Sequence, residues 1–179
     1  MGGKRGGLTQ ESGTDIRPVV ISPGEKLRTD FSVKAVTGGT VKEMTFNELL
    51  ASGPRTIVSV YMRNNTGSCD KQVDSLAAQA AEFADLGCRL IALSRDTAGS
   101  HLKYAAKKNL PFTLVSDPAD LFAKSAGSMI EKSMYGRKFF GPARAAFVLG
   151  ADGTVLAVLE KVQPAAHADQ LTALLATLG

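Results

Sequence analysis

Thr66-Gly67-Ser68-Cys69 is the segment of this 179-residue chain best suited to chemistry. It lies between a β-branched run, Thr56 to Tyr61, and a stretch that carries Val73, Leu76, Ala77, Ala80 and Phe83 at helical spacing. Cys69 therefore falls in the first turn of a helix that follows a strand and a loop. Unsatisfied backbone N–H groups and the positive end of the helix dipole face its sulfur there. A free thiol titrates near about 8.5, and such surroundings lower that value and give a nucleophilic thiolate. Arg63 adds positive charge close by, whereas Asp70 works in the opposite direction. The carboxyl ends of parallel strands are also where open α/β sheets place ligands. A buried, inert cysteine is the other reading that this position allows.

The elements that must position Cys69 alternate between short apolar runs and helical patterns. Phe31 to Val36 alternates like a half-buried strand, Gly38-Gly39 turns it, and Thr45 to Leu50 reads as a short capped helix. After strand Thr56–Tyr61 and the loop from Met62 to Ser68, a helix of about 17 residues is predicted, ended by Gly87. Strand Cys88 to Leu93, helix Thr97 to Lys108, strand Pro111 to Val115 and a helix around Asp117 to Ser125 follow. Ala145–Leu149 and Thr154–Leu159 are two strands joined by Gly150-Ala151-Asp152-Gly153, a hairpin signal. Leu171, Leu174, Leu175 and Leu178 form a stripe that packs a last helix on the sheet. The order predicts an α/β protein with a central mixed sheet flanked by helices.

Composition narrows the function classes. Two cysteines, two histidines and no tryptophan exclude a disulfide-stapled scaffold and leave little from which to build a metal cage, so no metal and no cofactor are expected. The net charge is only +4, with basic residues scattered among acids, which argues against nucleic-acid binding. Gly6-Gly7 and Gly38-Gly39 lack the strand-to-helix setting of a phosphate loop. There is no apolar run of secretory or membrane-spanning length, so a cytoplasmic protein without membrane attachment is expected. Residues 1–29 carry Gly, Pro and Ser with only Val19-Val20-Ile21 as an apolar cluster, and read as a loosely ordered arm before a folded domain at 30–179.

Met62-Arg63-Asn64-Asn65-Thr66-Gly67-Ser68-Cys69 resembles the Pro-x-x-x-Thr-x-x-Cys active-site pattern of the peroxiredoxins, keeping the threonine and cysteine and replacing the proline. Ser94-Arg95-Asp96 with Ser100-His101, Leu110-Pro111-Phe112 and Ser116-Asp117-Pro118 continue the likeness in the same order. Met134-Tyr135-Gly136-Arg137-Lys138, then Gly141, Arg144, Phe147 and Asp152-Gly153, resemble the peroxiredoxin Q or bacterioferritin-comigratory-protein class in particular. The likeness covers about residues 30 to 178.

The resemblance implies a thioredoxin-like fold and a thiol peroxidase in which Cys69 attacks the O–O bond of hydrogen peroxide or an organic hydroperoxide and becomes a sulfenic acid. Thr66 would hydrogen-bond the sulfur and the peroxide, and Arg144 would hold the thiolate and stabilise charge on the departing oxygen. Thr66, Ser68 and Gln72 are the candidate substrate-binding residues; for Gln72 an orienting role and an exposed helical glutamine are both open. Met62 in place of proline removes a residue that fixes φ, leaving the loop less rigid. Ala146 stands where the class has threonine. The positions where members carry a resolving cysteine hold Asp74 and Ala105.

Cys88 is the remaining thiol. It opens the strand after the Cys69 helix, roughly 25 Å away at ~1.5 Å per residue, whereas a disulfide needs Cα atoms within ~7 Å. It reads as a core strand residue, with an intermolecular disulfide as the minor alternative. The sulfenic acid is thus expected to be resolved by an external thiol, such as thioredoxin, glutaredoxin or glutathione, in a one-cysteine mechanism. His101 reads as structural and His167 as a solvated surface residue. A monomer or homodimer is expected. The competing function is a thioredoxin-fold redox sensor or interaction protein in which Cys69 oxidises without rapid turnover.

Overall fold

The computed structural model describes residues 20–179. Its elements are strands β1 (Ser32–Thr37), β2 (Thr40–Thr45), β3 (Arg55–Val60), β4 (Cys88–Ser94), β5 (Thr113–Ser116), β6 (Met129–Met134), β7 (Arg137–Pro142), β8 (Ala145–Gly150) and β9 (Val155–Leu159). The helices are α1 (Phe46–Ala51), α2 (Gly67–Ala78), α3 (Ala80–Asp85), α4 (Ala98–Lys108), α5 (Leu121–Ala126) and α6 (His167–Ala176), the last entered through a 3-10 turn at Pro164–Ala166.

A seven-stranded sheet runs in the order β2-β1-β5-β4-β3-β8-β9. The β3–β4 and β4–β5 pairs are parallel and the others antiparallel, which is the mixed sheet of a thioredoxin-like fold. The period-2 alternation of side chains splits the core between the two faces. Ile57, Leu90, Leu114 and Val148 pack with Val73, Leu76, Phe83, Leu171 and Leu175 on one side. Val58, Val60, Ile91, Val115 and Leu149 pack with Phe46, Leu49 and Phe122 on the other. On that second face Phe31, Phe46, Phe122 and Phe147 form a chain of aromatic contacts with centroid separations of 5.1–5.2 Å. β3 is therefore central and buried on both faces, and its carboxyl end carries the Cys69 loop.

The structure differs from the sequence reading in three places. The single helix predicted after the loop is divided at Gln79, which leaves helical geometry and bonds instead through its side chain to Asp169 and Thr172 of α6. Tertiary hydrogen bonding overrides the local helical pattern at that point. Residues 20–29, expected within a loose arm, are docked: Ile21 donates to Ala126, Gly24 to Val155 and Leu27 to Gly153, and Leu27 is buried. Residues 1–19 of that arm lie outside the described residues. The third difference is a separate hairpin, β6–β7, which the apolar periodicity did not announce because most of its side chains are exposed. Its turn, Tyr135-Gly136, has positive φ at both residues (53° and 78°), as a two-residue hairpin turn compatible with strand twist requires.

Candidate active site

The β3 chain leaves the sheet at Tyr61, whose N–H donates to Leu93, and enters a loop fixed mainly by Asn64. Asn64 is buried; its N–H donates to Asp96 Oδ2 (3.0 Å), its Oδ1 accepts from the Tyr61 hydroxyl, and its Nδ2 donates to Ser100 Oγ (3.1 Å) and lies 3.2 Å from His101 Nδ1. Asn65 then takes a left-handed backbone (φ 63°), a conformation that asparagine tolerates better than most residues. These bonds do for the loop what the φ restriction of a proline at Met62 would otherwise do in part. Thr66 is the N-cap residue of α2, and Cys69 is the third residue of the helix.

Cys69 is buried, with its sulfur 3.5 Å from Arg144 Nη1, and Arg144 arrives from the short link between β7 and β8. The same guanidinium nitrogen donates to Gln72 Oε1 at 2.7 Å. Burial pushes the Cys69 thiol up, but the Thr66 hydroxyl, backbone hydrogen bonding at Arg63 and Met62, and the Arg144 charge outweigh it and leave the thiol below its ordinary value. The Thr66 hydroxyl has one proton for two acceptors, the sulfur and the Arg63 carbonyl, which lies 3.0 Å from Oγ1. Asp70, whose charge would oppose thiolate formation, is engaged by the Tyr104 hydroxyl.

Of the residues singled out in the sequence, Cys69, Thr66, Arg144 and Gln72 are brought together. Gln72 is fully buried, which removes the exposed-glutamine alternative. Ser68 is exposed on the first turn of α2 and no described hydrogen bond joins it to the cluster. Arg63 contributes through its backbone while its side chain is exposed. Asp74 is ion-paired with Lys108 (2.9 Å), and Ala105 packs against the core from α4. Cys88 opens β4 directly opposite Arg55, at the start of β3, whereas Cys69 follows the end of β3. The length of that strand, roughly 3.3 Å per residue, separates the two sulfurs. Burial raises the Cys88 thiol above its ordinary value.

His167 is corrected. It is fully buried, with Nε2 2.9 Å from Ser59 Oγ, because the 3-10 turn folds the start of α6 onto α2 and Ala168 N–H donates to Ser75. Gln72 Nε2 donates to Ser59 Oγ at 2.8 Å and to the Val60 carbonyl at 3.2 Å. That leaves the Ser59 hydroxyl proton for Nε2 of a neutral His167, whose Nδ1 finds no partner among the described residues. A polar line thus runs from the partly exposed Arg144 through the buried Gln72, Ser59 and His167 behind the sulfur. Sequence reasoning missed Ser59, Asn64 and Lys132. Ser59 is a polar residue inside an apolar strand and Asn64-Asn65 is a turn-forming pair, so both left a signal; Lys132, whose Nζ meets Met62 Sδ at 2.8 Å, left none.

Residues 23–158 match the AhpC/TSA family. Peroxiredoxin Bcp of Xanthomonas campestris pv. campestris is 30% identical over 141 residues, covering 79% of this chain and 86% of that protein. The chloroplastic peroxiredoxin Q of Sedum lineare is 29% identical over 167 residues, covering 88% and 87%. The solved structure of the Xanthomonas campestris bacterioferritin comigratory protein, described for its alkyl peroxide reduction activity, superposes with a TM-score of 0.76 at 26% identity, over 88% of this chain and all of that one. The chain belongs to the AhpC/TSA family and, within it, to the peroxiredoxin Q or bacterioferritin-comigratory-protein class of thiol peroxidases. As such it is an oxidoreductase that reduces peroxides at the expense of thiols. No described helix is long and apolar enough to cross a membrane, and no group of three or more His, Cys, Asp and Glu side chains among the described residues is disposed to hold a metal ion.

Proposed function

We propose that Cys69 is the peroxidatic nucleophile and that the enzyme works by a one-cysteine mechanism. The observation that carries this is the approach of Arg144 to the Cys69 sulfur at 3.5 Å on the first turn of α2. A thiolate held there attacks the terminal oxygen of a peroxide: the S–O bond forms as O–O breaks, and negative charge grows on the other oxygen, which leaves as alkoxide or hydroxide. Arg144 and the Thr66 hydroxyl are donors that strengthen as that charge develops, so they lower the barrier more than they stabilise the resting thiolate. Gln72 holds Arg144 in place. Hydrogen peroxide and organic hydroperoxides are the substrates.

The sulfenic acid is then reduced by an external thiol, of the thioredoxin, glutaredoxin or glutathione kind. Three features support that reading: Asp74 and Ala105 at the positions of resolving cysteines, Cys88 at the opposite end of the sheet, and the raised Cys88 thiol, which makes it a poor nucleophile. Two unpaired thiols suit a reducing compartment, the cytoplasm. Peroxide consumption with each of the three thiol donors tests the proposal. Cys69→Ser abolishes turnover and Cys88→Ser retains most of it; a folded Cys88→Ser enzyme that forms the sulfenic acid but cannot be recycled overturns the one-cysteine mechanism.

A further inference from the structure

Met62 occupies the position where the class carries proline, and it brings a second sulfur to the site. Its main chain hydrogen-bonds toward the Cys69 sulfur, and its half-buried side chain packs against the core on both faces of the sheet at the end of β3. Its thioether Sδ lies 2.8 Å from Nζ of Lys132, which reaches down from β6 and lays its aliphatic stem over Gly141 of β7. The ammonium donates to one of the two lone pairs of the thioether, which leaves the other as a nucleophile with a proton donor at hand.

We propose that Met62 is a second peroxide-oxidation site of this enzyme, converted to methionine sulfoxide with Lys132 as the proton donor. The inference rests on Cys69 being the peroxide site. The Met62 sulfur lone pair attacks the terminal oxygen of the hydroperoxide, forming S–O as O–O breaks. The departing oxygen takes a proton from the Lys132 ammonium and leaves as the alcohol, or as water from hydrogen peroxide. The hydroxyl proton now on the sulfoxide oxygen returns to the Lys132 amine, so the balance is thioether plus hydroperoxide to sulfoxide plus alcohol. Lys132 is suited to give up a proton, because burial and the neighbouring Arg95 and Arg144 charges lower its pKa. The product replaces the N–H···S hydrogen bond by one to a sulfoxide oxygen, a stronger acceptor, which ties the β6–β7 hairpin more tightly to the Cys69 loop; the change is reversible by methionine sulfoxide reductase.

Met134, at the tip of the same hairpin and 57% exposed, is the internal control. Hydrogen peroxide is added in excess to the full-length Cys69→Ser protein, and sulfoxide at each methionine is followed by peptide mass spectrometry. Accessibility alone makes Met134 the faster. The proposal expects Met62 to oxidise faster than Met134 by about tenfold or more, the low end of what a positioned proton donor contributes, and expects Lys132→Gln to remove that advantage. Met62 oxidising no faster than Met134 overturns it, and that comparison needs no change at Lys132. Met62 keeping its advantage in a folded Lys132→Gln protein overturns the role of Lys132. One equivalent of peroxide on the wild-type protein separates the two readings: fast oxidation of Cys69 there, with Met62 no faster than Met134 in the Cys69→Ser protein, sinks this inference alone, and slow oxidation of Cys69 in the wild type sinks the peroxide site on which it rests.

Discussion

Arg144 and Gln72, 72 positions apart in the chain, are joined by a 2.7 Å hydrogen bond from guanidinium to amide oxygen. The bond decides where the cation stands. Arg144 is partly exposed and would otherwise sample several rotamers, whereas Gln72 is fully buried and held from behind by Ser59 and the Val60 carbonyl. The amide also gives Arg144 a neutral acceptor, so the guanidinium charge is not cancelled and stays available to the Cys69 sulfur at 3.5 Å.

Arg144→Leu removes that charge. The Cys69 thiol then rises, because the remaining donors must offset burial without it. The peroxide step slows by about a hundredfold, the usual loss for one donor aimed at developing negative charge. Ultraviolet titration of the thiolate and stopped-flow oxidation check the two effects separately.

Gln72→Leu leaves Arg144 in the protein but unanchored. The Cys69 thiol shifts in the same direction as in Arg144→Leu and by less, and the peroxide step slows less. Stability falls as well, by about 1–3 kcal/mol, because the Ser59–His167 pair behind it loses a buried partner. Chemical denaturation beside the thiolate titration distinguishes this pattern from a purely local loss of charge.

Asn64→Ala tests the loop. The Tyr61 hydroxyl, Ser100 and His101 lose their partner, at an expected cost of about 1–3 kcal/mol. Peroxide reactivity drops because Thr66 and Cys69 are no longer presented at fixed positions. Retained stability and rate would show that Met62 and the helix hold the loop without it.

Acid sensitivity follows from the two histidines, both fully buried. Burial lowers His101 to about 4, against the opposing charge of Asp96, and burial with the Arg144 charge lowers His167 to about 4. The folded state therefore binds fewer protons than the unfolded chain, where histidine titrates near about 6.5, so this stability is fully present above that value and is lost as pH falls toward 4. Each histidine accounts for a loss on the order of 3 kcal/mol across the window. Denaturant unfolding between neutral pH and pH 4 measures the slope, and His167→Gln lowers it.

The parts of the fold that sequence reveals are those in which one physical signal dominates. β3, β4, β8 and α4 were legible because apolar run length and capping residues such as Thr97, whose hydroxyl accepts from Ser100 N–H, agree with tertiary packing. The Gly150–Gly153 hairpin was legible for the same reason. The break at Gln79 was not, since it depends on Asp169 and Thr172 some ninety residues away. Cys69 could be picked out by its position in the first turn of a helix, whereas the role of Thr66 came from the family likeness. Arg144 needed the family likeness, because a single arginine between two strands carries no local sign of its partner. His167 was misread as solvated, since one polar residue at a helix start looks the same whether the helix end is exposed or folded in against Ser59.

The most direct measurement is stopped-flow oxidation of the reduced protein by one equivalent of hydrogen peroxide or an organic hydroperoxide, with intact and peptide mass at the end point. A peroxidatic Cys69 gives oxidation far faster than that of a free cysteine, with one oxygen, or its adduct with an added thiol, confined to Cys69. Oxidation no faster than a free cysteine, or an oxygen that lands elsewhere, would contradict the assignment of Cys69, Thr66 and Arg144 as the working site.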